Sequence, residues 1–213
     1  MATKGELKAL LATLDITKNT KRRQVKDLLA DKGYSEPEYR IQEGATKLCI
    51  VPKNADFVIK WSITYYDDSD DWDEALEEVS IYNKAVEAGL GMFFPKTEVF
   101  CVVNGITFVI QEKIDFSALN TPDSKENKYK YQTRTVSPII IEKMDNCFYQ
   151  MKRGRELNPL WASMAIVLYG KRKCKALCKF IIENSINDLH YSNIGYLKDK
   201  PIILDFSGYH RED

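Results

Sequence analysis

Hydrophobic and polar residues follow two different spacings in the first third of the chain. Over residues 4–34 the leucines and valines recur at helical spacing, which predicts two short helices, the second of which ends at Gly33. Over residues 39–62 the hydrophobic runs become short and β-like. Residues 46–51 and 57–61 flank a turn that contains proline, asparagine and aspartate, so this part predicts a β-hairpin.

The spacing changes again in the rest of the chain. Hydrophobic residues lie on one side of a predicted helix between Ala75 and Val86, which ends at Gly89 or Gly91. The further predicted elements are a hairpin around Asn104-Gly105, helices near residues 138–153 and 159–184, and a strand pair near residues 194–197 and 202–204.

The composition narrows the class of protein. The 213 residues include 31 Lys and Arg against 31 Asp and Glu, and the sequence pI is about 6.7. With 44% hydrophobic residues the chain is globular, and its zero net charge gives no general reason to bind nucleic acid or an anionic membrane. No run approaches the roughly 20 apolar residues of a membrane span, and the first residues lack the pattern of a secretory signal. We therefore expect a cytoplasmic protein.

Polar residues near the end of the sequence carry the candidate chemistry. Asp188 and Asn193 are five positions apart in a loop after the long predicted helix, and a short hairpin then leads to Asp205-Phe206-Ser207. This order resembles the catalytic loop and the metal-binding loop of the protein-kinase-like superfamily, with their D-L-x-x-x-N and D-F-G patterns. The size of the chain resembles that of minimal kinase-like proteins of bacteriophages and bacteria.

The resemblance implies a role for each of these polar residues. Asp188 would orient the acceptor hydroxyl and accept its proton, and Asn193 and Asp205 would hold Mg²⁺ through hard oxygen ligands. ATP would be the phosphoryl donor. This assignment suits phosphoryl transfer, in which a protein mainly positions the reactants and neutralises the charge of the phosphates.

An upstream lysine fits the same resemblance. Lys60 ends the run FVIK, which resembles the V-A-I-K strand of the family, and Gly44 stands where the family has its phosphate-covering loop. A lysine buried in an apolar strand needs a counter-charge, and we expect Glu78 in the following helix to supply it. Glu74 and Glu77 stay open as alternatives, because the hydrophobic side of that helix leaves all three near its border.

The resemblance also implies an α+β fold, namely a bilobal protein-kinase-like fold. Ile110 would lie in the strand that enters the hinge between the lobes, and the backbone of Gln111, Glu112 and Lys113 would meet adenine. The predicted parts are an N-terminal helical extension over residues 1–34, a small lobe with an antiparallel sheet over residues 35–113, and a reduced, mostly helical large lobe over residues 114–213.

Several positions depart from the family pattern. The phosphate loop keeps one glycine, and Ile186-Asn187 replace the usual His-Arg before the catalytic aspartate. His190 is closer to the pattern of small-molecule phosphotransferases. The sequence continues for five residues after Gly208, so we expect no activation segment and no helical substrate platform.

These observations favour ATP- and Mg²⁺-dependent phosphoryl transfer to a hydroxyl, with a protein Ser or Thr as the acceptor. A small-molecule kinase is the first alternative, because of His190. The second is a pseudokinase that binds nucleotide or a partner, because of the reduced glycine loop and platform. The third is a nucleic-acid or partner-binding module over residues 1–34, where a basic cluster occurs over residues 21–26. A homodimer that completes the reduced lobe is left open.

Overall fold

The computed structural model describes residues 3–34, 39–44, 46–63, 73–114, 159–186, 189 and 193–207. Within them the chain has four α-helices, a five-stranded antiparallel sheet and a two-stranded sheet, which confirms the α+β prediction. The helices are α1 (Lys4–Thr13), α2 (Arg22–Asp31), α3 (Glu74–Glu87) and α4 (Pro159–Glu183). The strands are β1 (Tyr39–Glu43), β2 (Lys47–Pro52), β3 (Phe57–Ser62), β4 (Thr97–Val103), β5 (Ile106–Glu112), β6 (Ile194–Leu197) and β7 (Lys200–Ile203). The helix predicted near residues 138–153 lies outside the described residues.

The chain divides into two compact units. We call Met1–Ser80 together with Lys96–Lys113 the sheet unit, and Ile81–Pro95 together with Ile114–Asp213 the helical unit. The sheet unit contains α1, α2, the five-stranded sheet and the first turns of α3. The helical unit contains the rest of α3, together with α4 and the β6–β7 hairpin.

The strands of the sheet unit all run antiparallel to their neighbours, in the order β1-β2-β3-β5-β4. Both predicted hairpins are present, since β2 leads into β3 and β4 leads into β5. Asn104 and Gly105 have φ angles of 51° and 76°, the positive values that a two-residue turn of type I′ requires. The register places Lys60 opposite Cys49 of β2 and Val109 of β5.

One face of this sheet is apolar and shares a core with α1 and α2. Leu11 of α1 and Val25 of α2 are fully buried in the same cluster as Ile59 and Phe108 of the sheet. Burying a side chain of this size contributes about 1.5–3 kcal/mol relative to leaving it exposed. Because side chains alternate between the faces of a strand, Lys60 points to the opposite face from Ile59. The N-terminal helices therefore cover one face of the sheet and leave the lysine face to α3.

The helical unit is built around α4, which coincides with the helix predicted near residues 159–184 but is interrupted. Gly170 has φ 78° and ψ 156°, a conformation that L side chains rarely adopt, so α4 is two helices joined at this glycine. Trp161 is fully buried, and its Nε1 donates a hydrogen bond to the Ile202 carbonyl at 3.1 Å. The ring of Phe206 lies 4.9 Å from that of Phe94 in the same core. The β6–β7 hairpin is thus attached to α4 within this unit.

Candidate functional site

The start of α3 is attached to the end of β3. Asp73 accepts hydrogen bonds through Oδ1 from the Leu76 backbone N–H at 3.1 Å and from the Ser62 hydroxyl at 2.7 Å. The backbone N–H of Ala75 donates to Ser62 Oγ at 2.9 Å. An aspartate before the first turn satisfies N–H groups that have no partner inside the helix. These bonds fix where α3 begins relative to the sheet.

Lys60 and Glu78 form a buried ion pair. Lys60 Nζ lies 3.3 Å from Glu78 Oε2, and the side chains are 9% and 0% exposed. Lys60 reaches α3 because it lies on the polar face of β3, and Glu78 lies about one helical turn after the attached start of the helix. The contact that the sequence predicts between these two residues is present.

Two more side chains donate to the same carboxylate. Lys47 of β2 places its Nζ 3.0 Å from Glu78 Oε1. Gln111 of β5 donates through Nε2 to Glu78 Oε2 at 3.2 Å and to Thr97 Oγ1 at 2.9 Å. We call Lys47, Lys60, Glu78 and Gln111 the Glu78 cluster. All four residues are buried, so a charged and polar group of contacts lies on the face of the sheet opposite the apolar core.

The other two glutamates that the sequence leaves open have different positions. Glu74 lies 3.4 Å from Lys47 Nζ through Oε2, which also accepts a short hydrogen bond from the Thr46 hydroxyl. Glu77 is only partly buried. Of the three glutamates that the sequence leaves open, Glu78 is the one in contact with Lys60 in the described structure.

The sequence did not single out Lys47 or the side chain of Gln111. Strand alternation offers a signal for Lys47, because β2 pairs with β3 so that Cys49 is opposite Lys60 and Lys47 is opposite Ser62. A lysine on the polar face of the neighbouring strand, beside a helix with glutamates four positions apart, is placed to meet a carboxylate. This register is visible only after the hairpin has been assigned.

The residues proposed to meet adenine lie at the end of β5 and just after it. Ile110 is 4% exposed and belongs to the apolar core of the sheet unit. The backbone N–H of Glu112 donates to the Lys96 carbonyl at 3.0 Å, and that of Lys113 donates to the Asp56 carbonyl at 2.8 Å. An adenine ring would have to replace these two bonds to use the same N–H groups.

Gly44 lies in the connection between β1 and β2, where the resemblance has the phosphate-covering loop. Its backbone N–H donates to the Lys47 carbonyl at 2.8 Å. A methyl group at this position would meet that carbonyl oxygen at 3.5 Å, which is ordinary contact. Gly44 therefore closes a tight connection in the sheet, and its phosphate role stays a prediction.

Asn193 and Asp205 flank the β6–β7 hairpin in the helical unit. Ile194 pairs with Ile203, and the Leu204 N–H donates to the Asn193 carbonyl at 2.7 Å, so the two ends of the hairpin are adjacent. Asn193 is 6% exposed, and Asp205 is intermediate in burial with φ at 53°. The hairpin thus brings the two proposed metal ligands into the same region.

Asp188 and the metal ion are the remaining parts of the predicted site. Asp188 lies outside the described residues, whereas Ile186 and Leu189 around it are buried in the core of the helical unit. In the described part of the chain, no three His, Cys, Asp or Glu side chains come together to hold a metal ion. Asn193 and Asp205 offer hard oxygen donors, and Mg²⁺ commonly uses one or two carboxylates together with substrate phosphates. These two residues are of the type that Mg²⁺ uses, and their role as its ligands stays a prediction.

Comparison with protein-family models, with curated proteins and with solved structures found no match to this chain. Across the helices that the structure describes, none combines the length and the hydropathy that crossing a membrane requires. The interpretation of the site therefore depends on its geometry and on the sequence pattern.

Proposed function

We propose that this chain is an ATP- and Mg²⁺-dependent phosphotransferase with a bilobal protein-kinase-like fold. The observation that carries this proposal is the buried pair of Lys60 and Glu78, with Nζ and Oε2 3.3 Å apart. The resemblance predicts a strand lysine and a helix glutamate at these two positions. A chance match of residue types would not require the side chains to meet across eighteen residues of sequence.

The energetics of the pair also support a role beyond folding. Taking two charges out of water is costly, and replacing a buried ion pair by apolar residues is often neutral or stabilising by about 1–4 kcal/mol. Stability alone therefore gives no reason to keep Lys60 and Glu78 charged. An ammonium group held in a buried position is suited to neutralise phosphate oxygens of a bound nucleotide.

The other proposed roles follow from the donor chemistry of each residue. Asn193 and Asp205 would hold Mg²⁺, which when bound with ATP neutralises charge on the phosphates. Asp188 is assigned from the resemblance to orient the acceptor hydroxyl and to take its proton. A protein Ser or Thr is the favoured acceptor, and a small molecule with a hydroxyl is the alternative.

Binding of Mg·ATP is the first test of the proposal. A ligand at a hundred times its dissociation constant adds about 2.7 kcal/mol, and each kcal/mol raises Tm by roughly 2–4 °C in a protein of this size. We therefore expect Mg·ATP to raise Tm by several degrees in a thermal unfolding experiment. Lys60→Met should abolish most of this shift, while Lys96→Met, at a side chain that is 58% exposed, should keep it.

Transfer is the second test, with γ-labelled ATP, Mg²⁺ and a cell extract. The wild type should label a protein, and Asp188→Ala should bind Mg·ATP but lose transfer by a factor on the order of 10²–10⁴. A wild type whose Tm does not respond to Mg·ATP or Mg·ADP contradicts the proposal. A wild type that binds but transfers to nothing would identify a pseudokinase instead.

A further inference from the structure

The carboxylate of Glu78 has more donors than the pair with Lys60 requires. Oε1 accepts from Lys47 at 3.0 Å, and Oε2 accepts from Lys60 at 3.3 Å and from Gln111 at 3.2 Å. Glu78 is 0% exposed, so these side chains take the place of water around the carboxylate. If Lys60 moved away, each oxygen of Glu78 would still have one donor.

Lys47 and Lys60 differ in how many carboxylates they contact. Lys47 Nζ lies between Glu74 at 3.4 Å and Glu78 at 3.0 Å, which are one helical turn apart on α3. Lys60 Nζ has its described hydrogen bond to Glu78 alone, at the longer distance of 3.3 Å. An ammonium group has three N–H donors, so Lys60 is the lysine with donors to spare.

Gln111 adds a second donor to Glu78 Oε2. Its Nε2 donates to Glu78 at 3.2 Å and to Thr97 at 2.9 Å. A carboxylate oxygen accepts and cannot donate, so this contact requires the amide nitrogen of Gln111 on the side of Glu78.

We propose that Lys47 and Gln111 hold Glu78 in place without Lys60. The ammonium group of Lys60 can therefore leave Glu78 and contact an anionic ligand. Lys47 is a positioning residue, because it acts on Glu78 and Glu74. The identification of the ligand as nucleotide phosphate rests on the proposed function. The holding role of Lys47 does not depend on that function, because it concerns contacts within the sheet unit.

The first experiment compares unfolding in urea for Lys47→Met, Lys60→Met and the exposed control Lys96→Met. Lys47→Met removes the described donor of Glu78 Oε1 and the ion pair of Glu74, so it should raise the unfolding equilibrium constant by at least about a hundredfold, as for other broken buried pairs. Lys60→Met should raise it by less than about tenfold, because Lys47 and Gln111 still contact Glu78. The control should change it by no more than about fivefold.

The outcomes decide the proposal in either direction. If Lys60→Met is as unstable as Lys47→Met, or does not fold, Glu78 depends on Lys60 and the proposal is overturned. If Lys47→Met does not fold while Lys60→Met does, the proposal is supported, because the fold then requires Lys47 and does not require Lys60.

A second readout separates charge positioning from simple packing. Glu74→Gln removes the second carboxylate that Lys47 contacts and keeps the Lys60–Glu78 pair, so adding it to Lys47→Met should recover at least about tenfold in the unfolding constant. A packing role predicts no recovery, because the shape of the side chain at position 74 hardly changes. Absence of recovery would overturn the positioning role.

The ligand part is tested in the wild type by NMR of the lysine side chains with Mg·ADP as the probe. We expect the Lys60 Cε resonance to shift and that of Lys47 to stay in place. A shift of Lys47 with Lys60 unmoved overturns the division of roles between the lysines. If neither moves and Tm is unchanged, the proposed function fails, while the unfolding comparison still decides whether Lys47 holds Glu78.

Discussion

Asp205 has a backbone conformation that residues other than glycine seldom adopt. Its φ is 53°, and Asp199, with φ at 63°, is the other aspartate with a positive φ among the described residues. Asp199 lies in the exposed turn between β6 and β7, where a positive φ closes a hairpin. Asp205 instead follows β7, next to the buried Phe206. Strain of this kind collects at functional sites, which agrees with the proposed role of Asp205.

Asp205→Asn and Asp205→Ala should both lose the Mg²⁺-dependent part of ATP affinity, because the proposed contact is made by the carboxylate through the metal. Asp205→Ala should also unfold about 1 kcal/mol more easily than Asp205→Asn, since alanine tolerates a positive φ less well than asparagine. Calorimetric titration of ATP with and without Mg²⁺ measures the first effect, and urea denaturation measures the second.

Asp199→Ala is the matched control for this residue. It carries a similar backbone cost at φ 63° and is exposed in the neighbouring turn. We expect Mg·ATP affinity to be unchanged in this variant. An equal loss of affinity in Asp199→Ala and Asp205→Ala would mean that the hairpin as a whole, and not the Asp205 carboxylate, supports binding.

At the scale of elements, α1 begins with a capping box. The Thr3 backbone N–H donates to Glu6 Oε2 at 2.7 Å, and the Glu6 N–H donates to Thr3 Oγ1 at 3.2 Å. The Thr3 hydroxyl also donates to Glu6 Oε2, at 3.0 Å. The two bonds that the Glu6 carboxylate accepts, first that from the backbone of Thr3 and then that from its side chain, lower the pKa of Glu6 from its ordinary value of 4.5. The carboxylate form is therefore favoured in the folded protein.

The capping box predicts a pH dependence with a defined sign. A carboxyl whose pKa is lower in the folded state stabilises the fold above its unfolded pKa and loses that effect as the pH falls through the folded pKa. The free energy of unfolding of the wild type minus that of Glu6→Gln should be constant at neutral pH and shrink below pH 4.5. Urea denaturation from about pH 3 to about pH 7 measures this difference. A difference that grows on acidification would contradict the assignment.

The packing of α1 on the sheet is expected to contribute more to the free energy of unfolding than the capping box does. Leu11 is 0% exposed, so Leu11→Ala should lower the free energy of unfolding by about 2–5 kcal/mol through lost burial and a cavity. Leu76→Ala, at a side chain that is 44% exposed, should change it by less than about 0.5 kcal/mol. Urea denaturation followed by circular dichroism measures both. Equal stability of Leu11→Ala and the wild type would show that α1 adds nothing to the core of the sheet unit.

At the scale of the whole molecule, charge is balanced. The chain has 31 basic and 31 acidic residues and a sequence pI of about 6.7, so repulsion between copies is weakest near that pH. We expect solubility to be lowest near pH 6.7 and to rise on either side, measured by light scattering across a pH series. Lys96→Glu should move the minimum to lower pH. An unmoved minimum would show that apolar contacts, and not net charge, control association.

Much of the local structure follows from the sequence because the interactions behind it span few residues. The turn at Asn104-Gly105 depends on residues that tolerate positive φ, and the end of α3 near Gly89 depends on a left-handed glycine. The contact between Lys60 and Glu78 could be predicted because the resemblance named both positions, and strand alternation turned the lysine away from the apolar core.

The rest of the site was decided by tertiary structure. Which of Glu74, Glu77 and Glu78 faces Lys60 depends on the rotation of α3 about its axis. The attachment of the helix start to β3 through Asp73 helps to fix that rotation. Lys47 and Gln111 reach Glu78 across 31 and 33 residues of sequence. Contacts of this length depend on strand register and on helix docking, which no periodicity within a single element contains.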